Sequence, residues 1–374
     1  MDYCKGVDLS TLPEVERCGG KFYDNGAEKS ALDILTSRGC NWVRIRLWND
    51  PYDASGEDYG AGVCDLPTVL ALAARVKRAG GKWLLDLHYS DFWADPGKQT
   101  VPKAWQGMDA PALAEAVYAY TREVLGECIA HGVAPDMVQV GNELSKGLLW
   151  PLGRVPEWDN IHRFVSAGVR AVRELLPAAP VMVHLDNGGN KALYQRWFGE
   201  YFARGGDCDV IGLSYYPFWH GTMAELKANM DDLAVRFGKD LIVVETSTAF
   251  TTASYAAYEK LPEAERKGHP IRPELERRAE YPLTKAGQCD FLRALLETIE
   301  QVPGGRGRGF FWWEPAWLPV PGSGWAKKGG WEYVHEAGPG GNEWANQCLF
   351  DYDGNALPAL EVLGAYTPAA QRPL

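Results

Sequence analysis

The feature that most constrains the fold is one pattern that repeats eight times along the chain. A short apolar run is followed by a loop and then by an amphipathic helical segment. Parallel strands that are buried on both faces have this near-continuous apolar character, and each needs a crossover helix before the next strand. The predicted strands are Lys5–Leu9, Trp42–Trp48, Lys82–His88, Met137–Glu143, Val181–Asp186, Val210–Tyr215, Leu241–Thr246 and Gly309–Glu314. Eight such units predict an α/β fold, a closed (β/α)8 TIM barrel.

The helical patterns that alternate with these strands support the barrel. They lie near Ala27–Arg38, Leu66–Ala79, Ala110–His131, Trp158–Leu176, Lys191–Arg204, Thr222–Phe237, Thr284–Gln301 and Ala359–Ala365. A doubly wound open sheet is the alternative, and it requires a glycine-rich phosphate loop after the first strand. The sequence there is Gly6-Val7-Asp8-Leu9-Ser10, which is not such a loop.

The chain is expected to form one catalytic domain over residues 1–374, because no linker divides it. Three long segments follow predicted strands, namely Tyr89–Met108 after the third, Ser247–Tyr281 after the seventh and Pro315–Gly341 after the eighth. The carboxyl ends of the strands form the active face of such barrels, and long loops in compact domains are usually functional. We therefore expect the site at this face.

Charge and composition exclude several partners and favour one. The net charge is −11 and no basic stripe is visible, so nucleic acid is not an expected partner. No run of 18 apolar residues is present, so no membrane-spanning helix is expected. The 15 tryptophans outnumber the 12 phenylalanines, and an indole ring suits the apolar face of a sugar.

The eight cysteines are scattered and contain no C-x-x-C pair, so they lack the paired ligands of a zinc site. We expect free thiols in a reducing compartment. The chain starts without the basic and apolar regions of a signal peptide, which favours a cytoplasmic location. A secreted location is expected instead if a signal peptide preceded the sequence.

Polar residues end seven of the eight predicted strands, and two carboxylates stand out among them. Glu143 ends the fourth strand and Glu245 the seventh, 102 residues later. Three units of a roughly 250-residue barrel span about 94 residues, so the two face each other across the barrel mouth. Glycoside hydrolysis needs such a pair, one acid and one nucleophile or base. The alternative is that each pairs with a barrel arginine such as Arg46.

These segments are similar to those of the glycoside hydrolase family 53 endo-β-1,4-galactanases. The resemblance runs from Gly6 to Asp351, and its most specific part is the segment Leu87–Gln99, LHYSDFWADPGKQ. Further matching segments are Val43–Pro51, Val140–Glu143, Gly212–Pro217 and Trp313–Trp317. The resemblance implies endo-hydrolysis of β-1,4-galactan or galacto-oligosaccharides by a retaining mechanism without a cofactor.

The resemblance also implies roles for individual residues. Glu143 is the expected acid/base and Glu245 the expected nucleophile, and a retaining mechanism predicts that their carboxyls lie about 5–5.5 Å apart. Asn142 is expected to bind the sugar 2-hydroxyl, while Arg46 and Tyr215 position the nucleophile. The further predicted substrate contacts are Trp313 as the floor of the site, His88, Asp91 and Trp93 on the glycone side, and His184 and Asn187 at the end of the fifth strand.

Several alternatives stay open at this point. Arg44 shares a strand face with Arg46, and Tyr216 adjoins Tyr215, so either member of each pair fits the nucleophile's partner. His88 also fits a buried structural histidine. No catalytic metal is expected, because the first strand lacks an H-x-H pair.

The sequence gives little support for a structural calcium ion. It also leaves open activities other than that of a galactanase. The stretch 259–267, EKLPEAERK, lacks the alternating Asp and Asn ligands of calcium loops. A mannanase, a xylanase or an exo-β-galactosidase would use the same two glutamates, and a non-catalytic sugar-binding barrel would use the tryptophans alone.

Overall fold

Eight parallel strands close into a barrel in the computed structural model, which describes residues 2–255, 276–336, 338 and 341–368. We number the barrel strands in chain order. They are β1 (Cys4–Asp8), β2 (Trp42–Leu47), β3 (Lys82–Leu87), β4 (Met137–Val140), β5 (Val181–Leu185), β6 (Val210–Tyr215), β7 (Asp240–Thr246) and β8 (Gly307–Trp312). Strand β1 pairs with both β2 and β8, which closes the ring. The predicted (β/α)8 barrel is confirmed.

Ten α-helices in the described residues connect or flank the strands. They are α1 (Leu12–Arg17), α2 (Ala31–Ser37), α3 (Leu66–Arg78), α4 (Ala110–Ala130), α5 (Trp158–Leu175), α6 (Lys191–Ala203), α7 (Met223–Phe237), α8 (Lys285–Glu300), α9 (Lys328–Val334) and α10 (Ala359–Ala365). Side-chain caps fix several starts, as at α7, where Thr222 and Glu225 form a capping box. None of the helices in the described part is long and apolar enough to cross a membrane.

Two local predictions were wrong. The segment predicted as a helix from Ala27 begins instead with a short strand, Ala27–Lys29, which pairs antiparallel with Phe22–Asp24. Helix α2 starts only at Ala31, because Ser30 caps it. The fourth strand ends at Val140 rather than Glu143. Gly141 and Glu143 both have positive φ values, of 81° and 51°, which end the extended conformation.

The lower half of the barrel interior is filled by apolar side chains. This lower layer consists of Cys4, Trp42, Leu84, Met137, Met182, Val210, Ile242, Val244 and Phe311. The ring of Phe311 reaches across to β1, where a β-carbon on Gly6 would lie 2.4 Å from its Cδ1 atom. Glycine is therefore required at this close approach. The packed lower layer makes the upper end of the barrel the place for a site.

The described parts of the long segments after β3, β7 and β8 lie at the carboxyl ends of the strands, as predicted, and residues 256–275 of the segment after β7 lie outside the described residues. Helix α9 lies in the segment after β8 and had no counterpart in the predicted helices. The eight cysteines are all free thiols in the structure.

Candidate active site

A cleft of about 880 Å³ opens where the barrel strands end. Its lining residues include Arg44, Arg46, His88, Trp93, Asn142, Glu143, Asp186, Tyr216, Trp219, Glu245, Trp313, Trp325, Glu343 and Trp344. Four residues that lie two or three positions beyond a strand end have positive φ values, namely Tyr89, Glu143, Asn187 and Glu314. Strained backbone of this kind clusters at functional sites, because the surrounding structure must hold it in place.

Arg44 is the centre of the polar network below the cleft. It projects from β2 into the barrel and is only 1% exposed. All five of its N–H groups have acceptors, which are Gln139 Oε1 at 3.1 Å, Asp8 Oδ2 at 3.0 Å, Glu245 Oε1 at 2.8 Å, Asp86 Oδ2 at 2.7 Å and Asn142 Oδ1 at 2.8 Å. A guanidinium group carries five donors in a fixed fork, so this side chain is fully satisfied and rigidly held.

Glu245 lies near the end of β7 and points into the barrel because of a β-bulge. The pairing of β6 with β7 shifts register, from Gly212 opposite Ile242 to Ser214 opposite Glu245. A bulge inserts one residue and re-aims the side chains that follow it. The Glu245 carboxylate accepts hydrogen bonds from Arg44 at 2.8 Å and from the Tyr216 hydroxyl at 3.2 Å. Burial raises the pKa of Glu245, and the Arg44 guanidinium opposes this rise.

Glu143 follows β4 in the left-handed conformation and also lines the cleft. Its Oε1 atom accepts a hydrogen bond of 2.7 Å from the Ser214 hydroxyl. Burial raises the pKa of Glu143 well above its usual range, and the negative charges of Glu245 and Asp186 raise it further. Glu143 therefore has no cationic hydrogen-bond partner among the described residues, in contrast to Glu245.

The partners of Glu245 correct two predictions. Arg44, not Arg46, contacts Glu245. Arg46 lies two residues further along β2 and bonds instead to Glu314 and to the Ala61 carbonyl oxygen at 2.8 Å. Both arginines face the interior, so strand alternation could not separate them.

The same strand alternation places Tyr216 rather than Tyr215 at the site. Tyr215 points outward from β6, where its ring stacks on Phe291 and its hydroxyl donates to the Gly221 carbonyl oxygen at 3.1 Å. Successive side chains of a strand point to opposite faces, and Ser214 occupies the inward position. Tyr216, which follows the strand, returns to the interior and reaches Glu245.

Three of the residues predicted from the third strand and its loop divide between the cleft and the scaffold. His88 lines the cleft, and its Nε2 lies 3.0 Å from Asp86 Oδ2. Trp93 lines the cleft beneath the guanidinium of Arg46, which lies 4.3 Å from its ring centroid. Asp91 is not among the lining residues.

The position of Asp91 corrects the prediction that it contacts substrate. Its two oxygens accept backbone N–H groups of Asp50, at 3.1 Å, and of Lys103, at 2.7 Å. Burial raises the pKa of Asp91 to about 6. This carboxyl fastens two loops together behind the cleft wall.

The remaining predicted contacts also divide between the cleft and its support. Asn142 and Trp313 line the cleft as predicted. His184 is fully buried beneath it, hydrogen-bonded to Ser214, and Asn187 donates from its amide to Asp186 without lining the cleft. The predictions of His184 and Asn187 as substrate contacts are therefore corrected.

Sequence reasoning missed several tryptophans and several carboxylates of the cleft, among them Asp186 and Glu343. Trp325 stacks on Trp313 with ring centroids 5.8 Å apart, and Trp344 meets Trp313 edge-on at 4.8 Å. Trp219, from the loop after β6, is 44% exposed, and Asp186 lies beside Glu143. The sequence signal for these rings was the high tryptophan content of the segment after β8. This content alone does not show which tryptophans line the cleft.

The described residues contain no group of three or more His, Cys, Asp or Glu side chains that could hold a metal ion. The stretch 259–267, for which calcium binding was doubted, lies outside the described residues.

Comparison with known proteins gives the family. Residues 4–363 match the sequence profile of glycosyl hydrolase family 53. The endo-beta-1,4-galactanase of Bacillus subtilis is 36% identical over 96% of this chain and 85% of its own. The arabinogalactan endo-beta-1,4-galactanase of Humicola insolens is 33% identical over 96% and 98%. The solved GH53 catalytic domain of Ignisphaera aggregans superposes with a TM-score of 0.87 at 39% identity, over 97% of this chain and 95% of that one. The chain belongs to glycosyl hydrolase family 53.

Proposed function

We propose that this enzyme hydrolyses β-1,4-galactosidic bonds within galactan and arabinogalactan by a retaining double displacement. The observation that carries the proposal is the unequal surroundings of Glu143 and Glu245, two carboxyls that line one cleft. Glycosidases assign acid and nucleophile roles by surroundings that push two such pKa values apart. We therefore assign the acid/base role to Glu143 and the nucleophile role to Glu245.

The surroundings of Glu143 favour its protonated form. Its hydrogen-bond partner is the neutral Ser214 hydroxyl, and its charged neighbours Glu245 and Asp186 are anions. A carboxyl in such a place keeps its proton at a pH where an ordinary carboxyl has lost it. Once Glu245 carries the sugar its charge is gone, so the pKa of Glu143 falls and the same group can act as a base.

The surroundings of Glu245 favour its charged form more than those of Glu143 do. Burial raises the pKa of Glu245 to about 7, whereas the pKa of Glu143 is raised well above its usual range without a cation to oppose the rise. Arg44 places a cation 2.8 Å from Oε1, and the Tyr216 hydroxyl donates to Oε2 at 3.2 Å. Arg44 on β2 and Tyr216 just after β6 fix both carboxylate oxygens. A nucleophile must be anionic and correctly aimed at the anomeric carbon, and this arrangement supplies both conditions.

The cleft walls suit a polymer of galactose. Trp93, Trp313 and Trp325 present indole surface, and the apolar face of a galactose ring packs on such surface. Several lining residues also carry buried polar atoms with no partner in the described part of the chain, namely Arg46 Nε, Trp325 Nε1, Glu343 Oε2 and Trp344 Nε1. Such atoms are uncommon in proteins and match a ligand rich in hydroxyl groups. The names of the two galactanase relatives support galactan as this ligand.

The proposed reaction has two steps. Glu143 first protonates the glycosidic oxygen while Glu245 attacks the anomeric carbon, which releases the leaving chain and forms a glycosyl-enzyme. Glu143 then removes a proton from water, and the resulting hydroxide displaces Glu245. We assign the sugar 2-hydroxyl to Asn142 and the floor of the reacting subsite to Trp313. A retaining pair requires carboxyls about 5–5.5 Å apart, which a crystal structure can measure.

Chemical rescue with azide tests the two roles. Glu143→Ala should still cleave a dinitrophenyl galactobioside, because this leaving group needs little protonation, and should then stall as a glycosyl-enzyme. Azide needs no base, so it should restore turnover and give a β-azide product. In Glu245→Ala, azide can enter only from the opposite face and should give the α-azide. The product configuration is measured by NMR.

The outcomes of this experiment are distinct. The reverse pattern of azides would mean that the two roles are exchanged. Absence of rescue in both variants would mean that these carboxyls are not the catalytic pair. Reducing ends released from galactan, compared with those from mannan and xylan, test the substrate separately. Long intermediate products early in the reaction distinguish endo from exo cleavage.

We propose that the enzyme works in a reducing compartment. The eight cysteines are free, and burial raises the pKa of several of them, as for Cys40, whose pKa rises to about 12. Free thiols in this number support a reducing compartment. Fractionation of the producing cells tests this, and recovery of the active enzyme from the medium alone would contradict it.

A further inference from the structure

Ser214 and His184 form a buried chain of hydrogen bonds that ends on Glu143. Ser214 lies on β6 with its side chain inside the barrel, and its hydroxyl is 2.7 Å from Glu143 Oε1. His184 lies on the neighbouring strand β5, and its Nε2 is 2.8 Å from the Ser214 hydroxyl oxygen. Both residues are fully buried, and neither lines the cleft. They act on substrate only through Glu143.

The other ring nitrogen of His184 has two partners of opposite kind. The amide nitrogen of Gln139 lies 3.1 Å from His184 Nδ1, and the side-chain oxygen of Asn142 lies 2.9 Å from it. The first can donate to a bare Nδ1, and the second can accept from a protonated Nδ1. The partner that Nδ1 uses therefore fixes the tautomer, and the tautomer fixes whether Nε2 donates to Ser214 or accepts from it.

His184 is held neutral, which leaves it one ring proton. Burial lowers the pKa of His184 well below its usual range, and the guanidinium of Arg44 lowers it further, as do His88 and His220. A neutral imidazole donates from one nitrogen and accepts at the other. The hydrogen bonds from His184 through Ser214 to Glu143 can therefore all point in only one direction at a time.

The second step of the reaction determines that direction. Glu143 is then a carboxylate, which can only accept, so Ser214 must donate to Oε1. Ser214 has a single proton, so His184 must donate to its oxygen from Nε2. Nδ1 is then bare and accepts one hydrogen of the Gln139 amide, while the other amide hydrogen goes to Asp86 Oδ1 at 2.7 Å. Asn142 Oδ1, which also lies 2.9 Å from Nδ1, accepts from Arg44 instead. Each link is a hydrogen bond of 2.7–3.1 Å in the structure.

We infer that His184 and Ser214 are positioning residues that keep Glu143 Oε1 as a permanent acceptor, so that the transferable proton is carried by Oε2. This inference rests on the proposed acid/base role of Glu143. No bond changes within the chain during the reaction, because the proton leaves from Oε2 and returns to Oε2. The same oxygen thus serves the leaving group in the first step and the water in the second.

The hydrogen bond from Ser214 also affects the pKa of Glu143. The carboxyl faces Glu245 on β7, Asp186 after β5 and Asp95 in the loop after β3, and all three raise its pKa, while the Ser214 hydroxyl lowers it. Removing that hydroxyl in Ser214→Ala should raise the pKa of Glu143. The alkaline limb of kcat/KM reports the acid in the free enzyme, so it should move to higher pH by about one unit. The base step should also slow, because the charged form has lost a donor.

The test measures kcat/KM on linear galactan against pH for the wild type and four variants. Ser214→Ala should shift the alkaline limb upward. His184→Leu cannot donate to Ser214 and should shift it in the same direction. His184→Gln places an amide N–H toward Ser214 and should restore the limb to within a few tenths of a pH unit. Thr121→Val removes a buried hydroxyl pair of 2.8 Å with Tyr89 on helix α4, away from the cleft, and should lower stability without moving the limb.

A spectroscopic measurement gives the direction of the chain independently. The nitrogen chemical shifts of 15N-labelled histidine distinguish the two tautomers, and the His184 signal is identified among the seven histidines by its loss in His184→Gln. We expect the Nε2–H tautomer at all pH values where the enzyme is active. The Nδ1–H tautomer in that range would overturn the inference.

The failure of this inference and the failure of the proposed function are distinguishable. A wild type that releases no reducing ends from galactan would contradict the proposed function. An active wild type with an unchanged alkaline limb in Ser214→Ala would overturn the inference alone. Equal shifts in His184→Gln and His184→Leu would also overturn it, because they would show that an N–H group at this position is not what matters.

Discussion

The barrel interior contains two layers that are equally buried and chemically opposite. On four successive strands, the residue of the apolar lower layer is followed two positions later by a polar residue of the layer above. These pairs are Trp42 and Arg44, Leu84 and Asp86, Met137 and Gln139, and Met182 and His184. No member of the four pairs is more than 2% exposed. Height along the barrel axis, not burial, separates the two chemistries.

The difference shows how the barrel divides stability from chemistry. Apolar burial stabilises at about 25 cal/mol per Å² and requires no particular orientation, so the lower layer holds the strands together. Buried charges are costly to desolvate and give little net stability even when paired, but they are directional. The upper layer therefore fixes side-chain positions, as Arg44 does for Glu245 and Asn142. If the two functions separate in this way, a change in one layer should spare the property that the other layer sets.

The largest expected effect is the loss of activity on changing Glu245 in the upper layer. Glu245→Gln removes the nucleophile but keeps an oxygen that accepts from Arg44. Activity on galactan should fall by at least about 10⁴-fold. The melting temperature should stay within a few degrees, because a charge that is costly to bury is removed. A large loss of stability would contradict the division between the layers, since it would show that the upper layer also stabilises the fold.

The matching change in the lower layer is Leu84→Ala. Removing a buried leucine leaves a cavity, and the free energy of unfolding should fall by about 2–5 kcal/mol in a denaturant titration. The kcat/KM of the folded fraction should stay within about threefold of the wild type. Val235→Ala on α7 is the control, because Val235 is 77% exposed and its loss should change stability by about 0.5 kcal/mol or less. A tenfold fall in kcat/KM for Leu84→Ala would show that the layers are not separable.

The layers also explain how far the sequence could predict the fold and the site. Eight buried strands follow from apolar runs with helices between them, and the polar upper layer follows from polar residues at the ends of those runs. Glu143 and Glu245 were found because each ends such a run. The period of two along a strand places both Arg44 and Arg46 inside the barrel. It cannot tell which of the two contacts Glu245.

The remaining assignments depend on where other strands place their acceptors. Arg44 reaches Glu245 and Arg46 reaches Glu314, and this choice is set by side chains 201 and 268 residues further along the chain. The inward aim of Glu245 requires the bulge in β7, since Ile242 and Val244 already occupy the inward positions below it. Asp91 resembles a substrate ligand in sequence, but backbone N–H groups from two loops take both of its oxygens.

A smaller expected effect sharpens the assignment of the nucleophile's partners. Tyr216→Phe removes the hydroxyl that donates to Glu245 Oε2, so kcat/KM should fall by about 10-fold to 100-fold. The donor stabilises the charged carboxylate, so its loss should raise the pKa of Glu245 and move the acid limb of the pH profile upward. The loss should therefore be larger at low pH than at high pH.

Tyr215→Phe is the matched control for this prediction. It removes a neighbouring hydroxyl that bonds to the Gly221 carbonyl oxygen outside the barrel. Its acid limb should coincide with that of the wild type. If Tyr215→Phe moved the limb and Tyr216→Phe did not, the inward and outward faces of β6 would be assigned the wrong way round.

The smallest expected effect extends the comparison above the polar layer, to the rim of the cleft. Trp219 is 44% exposed and stands edge-on against Phe218, with centroids 4.8 Å apart. A ring this exposed supports little of the fold, so Trp219→Ala should leave the melting temperature unchanged. It should raise KM for long galactan about 3-fold to 10-fold with kcat unchanged, because a stacking contact binds substrate and transition state equally. Trp219→Phe keeps an aromatic face and should recover most of the affinity. A fall in kcat equal to the rise in KM would instead place Trp219 with the polar layer, among the groups that act on the transition state.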